Sequence, residues 1–327
     1  MKILVTGVAG FFGSNLAEYL LGKGHQVLGI DNFNDYYSPK IKRYNIRDSE
    51  RHSNFKLYEL DITGRDIARG LTSREVRPAG IDAIVHLAAW AGVTRSFEIP
   101  SVYVRNNIEG TVNLVNLAVK YKIPNFIFAS TSSVYGKNPT PFREDMEADT
   151  PLAPYPATKR ACEIMLKTYS INYDVNVTIL RIFNPQAPRM RPDLALPKMI
   201  KSCLYGTEFP VYWSTLDPKR DYCYIGHMFE AIDRILEKPL KYEIFNLGNS
   251  SPVGLNELMD IVEDVVGRKM NKKIMPERKG EMEVTYADIE KARRTLHYNP
   301  KTSIKECVSI YYEWFKKQEE WYRIDVC

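Results

Sequence analysis

Short, wholly apolar runs alternate along the first half of the chain with stretches whose apolar residues recur at helical spacing. The order is Ile3-Leu4-Val5, Phe12 to Leu21, Val27 to Ile30, Phe55 to Leu60, Ala83 to Leu87, Val102 to Tyr121, Phe126 to Ala129, Pro156 to Ile171 and Val177 to Leu180. Strands alternating with helices form βαβ units, and strands covered by helices on both faces become continuously apolar. The pattern therefore predicts an α/β fold with a doubly wound parallel sheet. Within Val102 to Tyr121, the residues Val104, Ile108, Val112, Val115 and Val119 trace one helical stripe, which can face the sheet or a partner helix, with core packing favoured.

Beyond Arg181 the pattern loosens. Asn184-Pro185-Gln186-Ala187-Pro188 and Phe209-Pro210-Val211-Tyr212-Trp213 precede helical segments near 228–238, 255–266 and 304–317. They predict a smaller, irregular α/β lobe. Ile244-Phe245-Asn246-Leu247 reads as a strand returning to the main sheet or its edge, which interleaves the lobes. Residues 1–183, with 220–250 returning, are expected to form one domain, and 184–219 with 251–327 the other.

Composition narrows the function classes. With 327 residues, 44% hydrophobic and 26% charged, the chain has ordinary globular values, which excludes disorder. Lys+Arg of 45 against Asp+Glu of 40 gives +5, scattered rather than gathered into a stripe, so no nucleic-acid partner is indicated. The five cysteines are widely spaced and form no CxxC pair, which points to no disulfide framework, no metal site and a reducing, cytoplasmic setting. The apolar start breaks at Thr6-Gly7 and continues into a pattern containing Glu18, unlike a signal peptide, and no apolar run is long enough for a membrane span.

Gly7-Val8-Ala9-Gly10-Phe11-Phe12-Gly13 follows the first strand and opens a helix, spaced GxxGxxG. In that position glycines permit a tight turn, close approach of backbone N–H groups to a pyrophosphate, and close helix-to-strand packing. Asp31 ends the next strand, where a carboxylate accepts hydrogen bonds from both ribose hydroxyls of an adenosine and repels a 2′-phosphate. The pair predicts dinucleotide binding, with NAD favoured over NADP. Asp61-Ile62 reads either as an adenine contact in the same crevice or as a helix N-cap.

Tyr155-Pro156-Ala157-Thr158-Lys159 places a phenol and an ammonium one turn apart on one helix face, with Tyr155 at the boundary because Pro156 suits a first turn. An unperturbed phenol, with pKa about 10, is a poor base at neutral pH; a nearby lysine favours its phenolate. Such a tyrosine takes a proton from a sugar hydroxyl as hydride leaves the same carbon. Upstream, Ser130-Thr131-Ser132-Ser133-Val134-Tyr135-Gly136 offers hydroxyls at a strand's carboxyl end, where doubly wound sheets bind ligands.

These motifs, with Asp31-Asn32-Phe33-Asn34-Asp35-Tyr36-Tyr37, His86-Leu87-Ala88-Ala89, Ala91-Gly92-Val93, Arg191-Pro192-Asp193-Leu194-Ala195-Leu196, Arg220-Asp221-Tyr222 and Asn246 to Val253, span nearly the whole chain. They resemble the extended short-chain dehydrogenase/reductases, and within them the nucleotide-sugar 4-epimerases, nearest to those acting on UDP-glucuronate. The resemblance implies a Rossmann domain that binds NAD through Gly7, Gly10, Phe11, Phe12, Gly13, Asp31, Asn32, Asp61, Ile62, Leu87, Ala88, Ala89, Tyr155 and Lys159. It implies a catalytic triad of Thr131, Tyr155 and Lys159, and a nucleotide-sugar-binding second lobe. Substrate contacts are implied at Ser132, Ser133, Asn184, Arg191, Arg220 and the segment Glu281 to Asp288, with Arg191 facing the sugar carboxylate. A homodimer through the segments 101–121 and 156–172 is also implied.

Related 4,6-dehydratases carry Asp-Glu where this chain has Ser132-Ser133, and decarboxylating relatives carry Glu, so oxidation followed by reduction is favoured over elimination. Trp90 replaces the usual Gln, Thr94 the usual Arg with Arg95 one position on, and Gln186-Ala187 the usual Tyr-Gly; Pro156 is also unusual. Gly226-His227 replaces an acidic pair, with His227 expected at the surface or in packing. Two other readings are a UDP-glucose or UDP-N-acetylglucosamine 4-epimerase, and a catalytically silent NAD-binding regulator on the same fold.

Overall fold

The computed structural model describes residues 1–64, 67, 80–212, 217–276 and 282–325. The chain divides into two compact units: Met1–Asn138, Glu144–Ile182 and Phe229–Phe245 form the first, and Pro139–Arg143, Phe183–Met228 and the residues from Asn246 onward the second. Thus Pro139–Arg143, Phe183 and residues 220–228 and 246–250, which the sequence places in the first domain, group with the second unit, and of 220–250 only Phe229–Phe245 returns to the first.

The first unit is built on β1 (Lys2–Thr6), β2 (Gln26–Asp31), β3 (Phe55–Glu59), β4 (Ala83–His86), β5 (Asn125–Thr131) and β6 (Asn176–Ile182). They pair in parallel in the order 3-2-1-4-5-6, and the strand Tyr242–Leu247 adds at the β6 edge, as the apolar run there predicts. The chain reverses direction across the sheet between β1 and β4, whose carboxyl ends open the crevice where such sheets bind ligands. Helices α1 (Phe11–Gly22), α2 (Pro39–Glu50), α3 (Gly110–Tyr121) and α4 (Pro154–Asn172) flank it. Their apolar faces and the strands form a continuous core containing Leu4, Ile84, Phe126, Phe128, Val177, Leu114, Val115 and Leu166. Each such side chain contributes about 1.5–3 kcal/mol.

The stripe from Val104 to Val119 is not one uniform face. A π-helical turn over Val104–Glu109 precedes α3 and leaves Val104 51% exposed, while Val115 is buried. Because a π turn holds an extra residue, it rotates the following face by about 100° relative to an α-helical register. The rotation brings Asn107, rather than Val104, into the interior, at 1% exposure.

In the second unit, Lys219–Asp221 lies between Pro252–Gly254 and Val284–Thr285 in a three-stranded sheet. The aromatic stretch Phe209–Tyr212 is a strand, paired in parallel with Lys272–Met275. Helix Leu255–Val266 packs against Ala195–Tyr205 and Ile304–Lys316. The last of these begins with a reciprocal cap, Ser303 accepting from the Glu306 backbone and Glu306 from that of Ser303. Trp213 lies outside the described residues.

Candidate active site

The glycine turn is shaped by what a side chain would strike. Gly7 has φ of +69°, and a Cβ there would lie 2.9 Å from the Ala88 backbone; a Cβ on Gly13 would collide with the Gly7 carbonyl. Only glycine fits at both positions. Gly7 N–H donates to Ile30 O at 2.7 Å and Gly10 N–H to Gly7 O at 3.0 Å, which folds the turn back over the strand ends. Helix α1 then starts at Phe11 with no side-chain cap and no acidic residue in its first turn. Unsatisfied N–H groups at a helix N-terminus favour an anion, so the cradle fits a pyrophosphate. The ring of Phe12 packs edge-on against Phe229, with centroids 5.3 Å apart, and Phe11 is buried; the backbone is what these two residues offer the cradle.

Asp31, 8% exposed, accepts from Ala9 N–H at 3.1 Å and Phe33 N–H at 2.9 Å. Burial raises its pKa despite Lys42 and those two N–H donors. A carboxylate has about four lone-pair sites, so two backbone bonds leave capacity for a ribose diol. Asn32 donates to Asp61 at 3.1 Å, and Asp61 also accepts from the Thr63 backbone and hydroxyl. Burial pushes the Asp61 carboxyl up, but the Thr63 and Asn32 bonds outweigh it and leave the pKa lowered. The Ile62 side chain belongs to the core, and its carbonyl accepts from Asn113 at 2.9 Å.

Across the crevice, Leu87, Ala88 and Ala89 follow β4. Thr6 Oγ1 accepts from the N–H groups of both Leu87 and Ala88 at 3.2 Å and lies 2.7 Å from His86 Nδ1. His86 Nε2 meets Thr111 Oγ1 at 3.0 Å. Burial holds the His86 pKa well below its ordinary value, so it serves as a neutral brace for this loop.

Thr131 closes β5 and caps a single 3₁₀ turn, Ser132–Tyr135, accepting from Ser133 N–H at 3.2 Å and lying 3.3 Å from Ser133 Oγ. Three hydroxyls therefore stand at one strand end. Helix α4 packs on β5, β6 and this turn. It begins at Pro154, so Tyr155 occupies its second position, at the boundary that Pro156 implies. Lys159 follows one turn later, 3% exposed, with Nζ 4.1 Å from the centroid of the Phe128 ring. Burial pushes its pKa down to about 8, while Cys162 and Glu163 act the other way.

The second unit carries the remaining implied residues. Asn184 donates to Asp221 O at 3.1 Å, and Arg220 donates to the carbonyls of Lys219 and Glu283. Asp221, fully buried, accepts from the N–H groups of Asn249, Ser250 and Ala287, which anchors the loops around Arg220. Asp288 accepts from Glu290 N–H at 2.9 Å at the start of a short helix. Glu281 lies outside the described residues. Arg191, 20% exposed, forms a two-bond pair with Asp193, both at 3.0 Å. His227 packs near Tyr224 and lies 2.9 Å from Thr302 Oγ1, as expected of a packing residue.

Sequence reasoning passed over two polar residues that hold the first unit's elements together. Asn107 accepts from Trp90 N–H and donates to Trp90 O and Thr158 Oγ1, and Thr158 in turn donates to Tyr155 O. Glu163 is fully buried and bonded to Ser130, Arg160 and Arg181. The signal available for Glu163 was its spacing of one turn from Lys159. Trp90 stacks edge-on with Tyr36 at 5.2 Å, and the Arg95 guanidinium lies 4.9 Å from the Tyr36 ring and 5.1 Å from the Trp90 ring. Among the described residues no group of His, Cys, Asp and Glu could hold a metal ion, and no helix is long and apolar enough to cross a membrane.

Residues 3–248 match the model of the NAD dependent epimerase/dehydratase family. The chain is 37% identical over 318 residues to a UDP-glucuronate 4-epimerase of Thermodesulfobacterium geofontis, covering 97% of each chain. It is similar to the crystal structure of UDP-glucuronic acid 4-epimerase from Bacillus cereus in complex with UDP-glucuronic acid and NAD, with 33% identity, a TM-score of 0.89, and coverage of 97% of this chain and 99% of that one. A UDP-N-acetylglucosamine 4-epimerase from Methanobrevibacter ruminantium is similar at 27% identity and a TM-score of 0.87, over 97% of this chain and 99% of that one.

Proposed function

The chain belongs to the NAD dependent epimerase/dehydratase family, and we propose that it is a UDP-glucuronate 4-epimerase, converting UDP-glucuronate to UDP-galacturonate. The observation that carries this reading is the strand end at Thr131, which faces the helix of Tyr155 and Lys159 and has hydroxyls, not carboxyls, at positions 132 and 133. The Gly7–Gly13 turn and Asp31 would hold NAD, which would supply the hydride acceptor and donor for C4 of the sugar. Tyr155 removes the proton of the C4 hydroxyl during oxidation and returns it during reduction. Thr131 Oγ1 orients that hydroxyl. Lys159 keeps the Tyr155 phenolate within reach by placing an ammonium in a buried environment, where charges interact strongly. The sugar, a 4-ketone between the two steps, is reduced from its opposite face, so configuration inverts with no net redox change. With no acid at 132 or 133, nothing at this strand end expels the substituent on a neighbouring carbon.

Incubation of the purified protein with UDP-glucuronate, followed by proton NMR, is expected to show UDP-galacturonate accumulating to a fixed ratio. Turnover of UDP-glucose or UDP-N-acetylglucosamine alone would favour the neutral-sugar reading, and no turnover of any sugar the regulator.

The protein is further proposed to be a cytoplasmic homodimer. The apolar residues Val104, Ile164 and Ile171 are 51%, 49% and 70% exposed on the segments that the resemblance assigns to a subunit interface. Tyr169 on α4 also donates to Asn116 on α3 at 2.7 Å, tying the two helices into one surface. Among the described residues four cysteines are free and buried, which suits a reducing compartment. A dimer mass is expected in light scattering at micromolar concentration; a monomer would count against the interface.

A further inference from the structure

We propose that Glu163 is a positioning residue for this chemistry, its buried carboxylate clamping the strand end that bears Thr131 to the helix that bears Tyr155 and Lys159. The proposal rests on the reading that those three residues act on the sugar. Glu163 follows Lys159 by one turn of α4 and is fully buried. One carboxylate oxygen accepts from Ser130 Oγ, immediately before Thr131, and from Arg181 Nε at 3.1 Å. The other accepts from Arg181 at 2.8 Å and from Arg160 at 3.1 Å. One side chain thus ties β5 and β6 to α4 at the level of the site.

Such a pair is weak evidence for a purely stabilising role, because apolar residues often replace a buried ion pair at no loss. Arg181 is 1% exposed, and its guanidinium also lies 4.6 Å from the Tyr135 ring, on the turn that Thr131 caps. The network therefore reaches the Thr131 turn from both sides.

The same carboxylate acts on Lys159. Of the two groups that favour the charged lysine, Cys162 and Glu163, the thiol is itself pushed up by burial and so stays neutral. His86 on β4 is held neutral, and Phe128 on β5 presents a ring. Arg160 and Arg181, which share Glu163, are cations; the exposed Asp149 also pairs with Arg160, and Tyr135 and Tyr242 are coupled to this network as well. Glu163 is the buried carboxylate among these groups. Without it, Lys159 releases its proton at lower pH.

The test is Glu163→Gln, which keeps the shape and removes the charge, read by the ¹³Cε titration of Lys159 in the purified protein and by the pH dependence of epimerisation. The Lys159 signal is assigned by its loss in Lys159→Arg. The titration midpoint and the alkaline limb of kcat are both expected to move down by about one pH unit. At the optimum kcat should fall roughly 10- to 100-fold with KM little changed. Glu163→Asp, which keeps the charge, should return the midpoint toward the wild-type value. An unmoved midpoint and limb in Glu163→Gln overturn the proposal. If that variant does not fold, Ser130→Ala removes the bond from the Ser130 hydroxyl to the carboxylate and should lower kcat with KM little changed; an unchanged kcat again overturns it. The NMR reading needs no substrate, so an inactive wild-type protein would remove the epimerase assignment while leaving the Glu163 result to stand on its own.

Discussion

Tyr155→Phe is expected to lower kcat for epimerisation by roughly 10²- to 10⁴-fold while the protein still binds NAD. The substitution deletes one hydroxyl and little else. The Tyr155 ring sits at the second position of α4 and packs edge-on against Tyr103, with centroids 6.2 Å apart, a contact that Phe retains. Lys159 stays in its buried place beside Phe128, and the glycine turn, Asp31 and the Leu87–Ala88 loop are untouched, so cofactor binding should survive. What disappears is the hydroxyl proposed to accept the C4 proton; without an acceptor the C4 hydroxyl keeps its proton as hydride leaves, which costs the reaction its proton-transfer path. The measurements are the initial rate with UDP-glucuronate and the NAD content of the variant. Near-normal turnover would remove Tyr155 as the base, and loss of NAD together with activity would assign it a binding role instead.

The parts of this fold that could be read in advance are those governed by local pattern. A parallel strand covered on both faces must be apolar throughout, so Ile3-Leu4-Val5, Ala83 to Leu87 and Phe126 to Ala129 announced themselves, and Tyr155 and Lys159 declared a shared face by their spacing. The π-helical turn at Val104–Glu109 could not be read that way, because one extra residue breaks the periodicity on which the stripe relied. It is what turns Asn107 inward, toward Trp90 and Thr158. Motifs also name residues without saying which atoms act: in the glycine turn and the Asp61-Ile62 pair, the side chains of Phe12 and Ile62 point into packing. In the second unit the strands are only two to four residues long, too short for period-two alternation to establish, and Phe209–Tyr212 finds its partner at Lys272–Met275 far along the chain. Glu163 illustrates a further limit. A charged residue in an amphipathic helix reads as solvated, and only the arrival of Ser130 and Arg181 from two other strands makes it an interior group.

Arg191→Ala is expected to separate acidic from neutral substrates. A planar guanidinium offers five N–H donors in a fork suited to a carboxylate, and the pair with Asp193 uses two of them, Nε and one terminal nitrogen, each at 3.0 Å. That pair holds the guanidinium in a fixed plane. Its price is competition, since Asp193 already neutralises part of the charge that a sugar carboxylate would meet. Asp193 is 43% exposed, however, so water screens its attraction, whereas a substrate carboxylate placed against Arg191, as proposed, would have less water around it. Loss of such a charge-assisted partner costs on the order of 2–5 kcal/mol, much of it from leaving the carboxylate unpaired, and competition from Asp193 places the expected loss toward the lower end. For UDP-glucuronate kcat/KM should therefore fall roughly 30-fold or more, with a much smaller change for UDP-glucose assayed in parallel. Asp193→Asn should act in the opposite sense on KM for the acid if the two carboxylates compete, and raise it if the main service of Asp193 is to hold the guanidinium plane. An equal loss for both sugars in Arg191→Ala would place the arginine on the diphosphate, and the selection for the acid would then have to come from the hydroxyls of Thr131, Ser132 and Ser133.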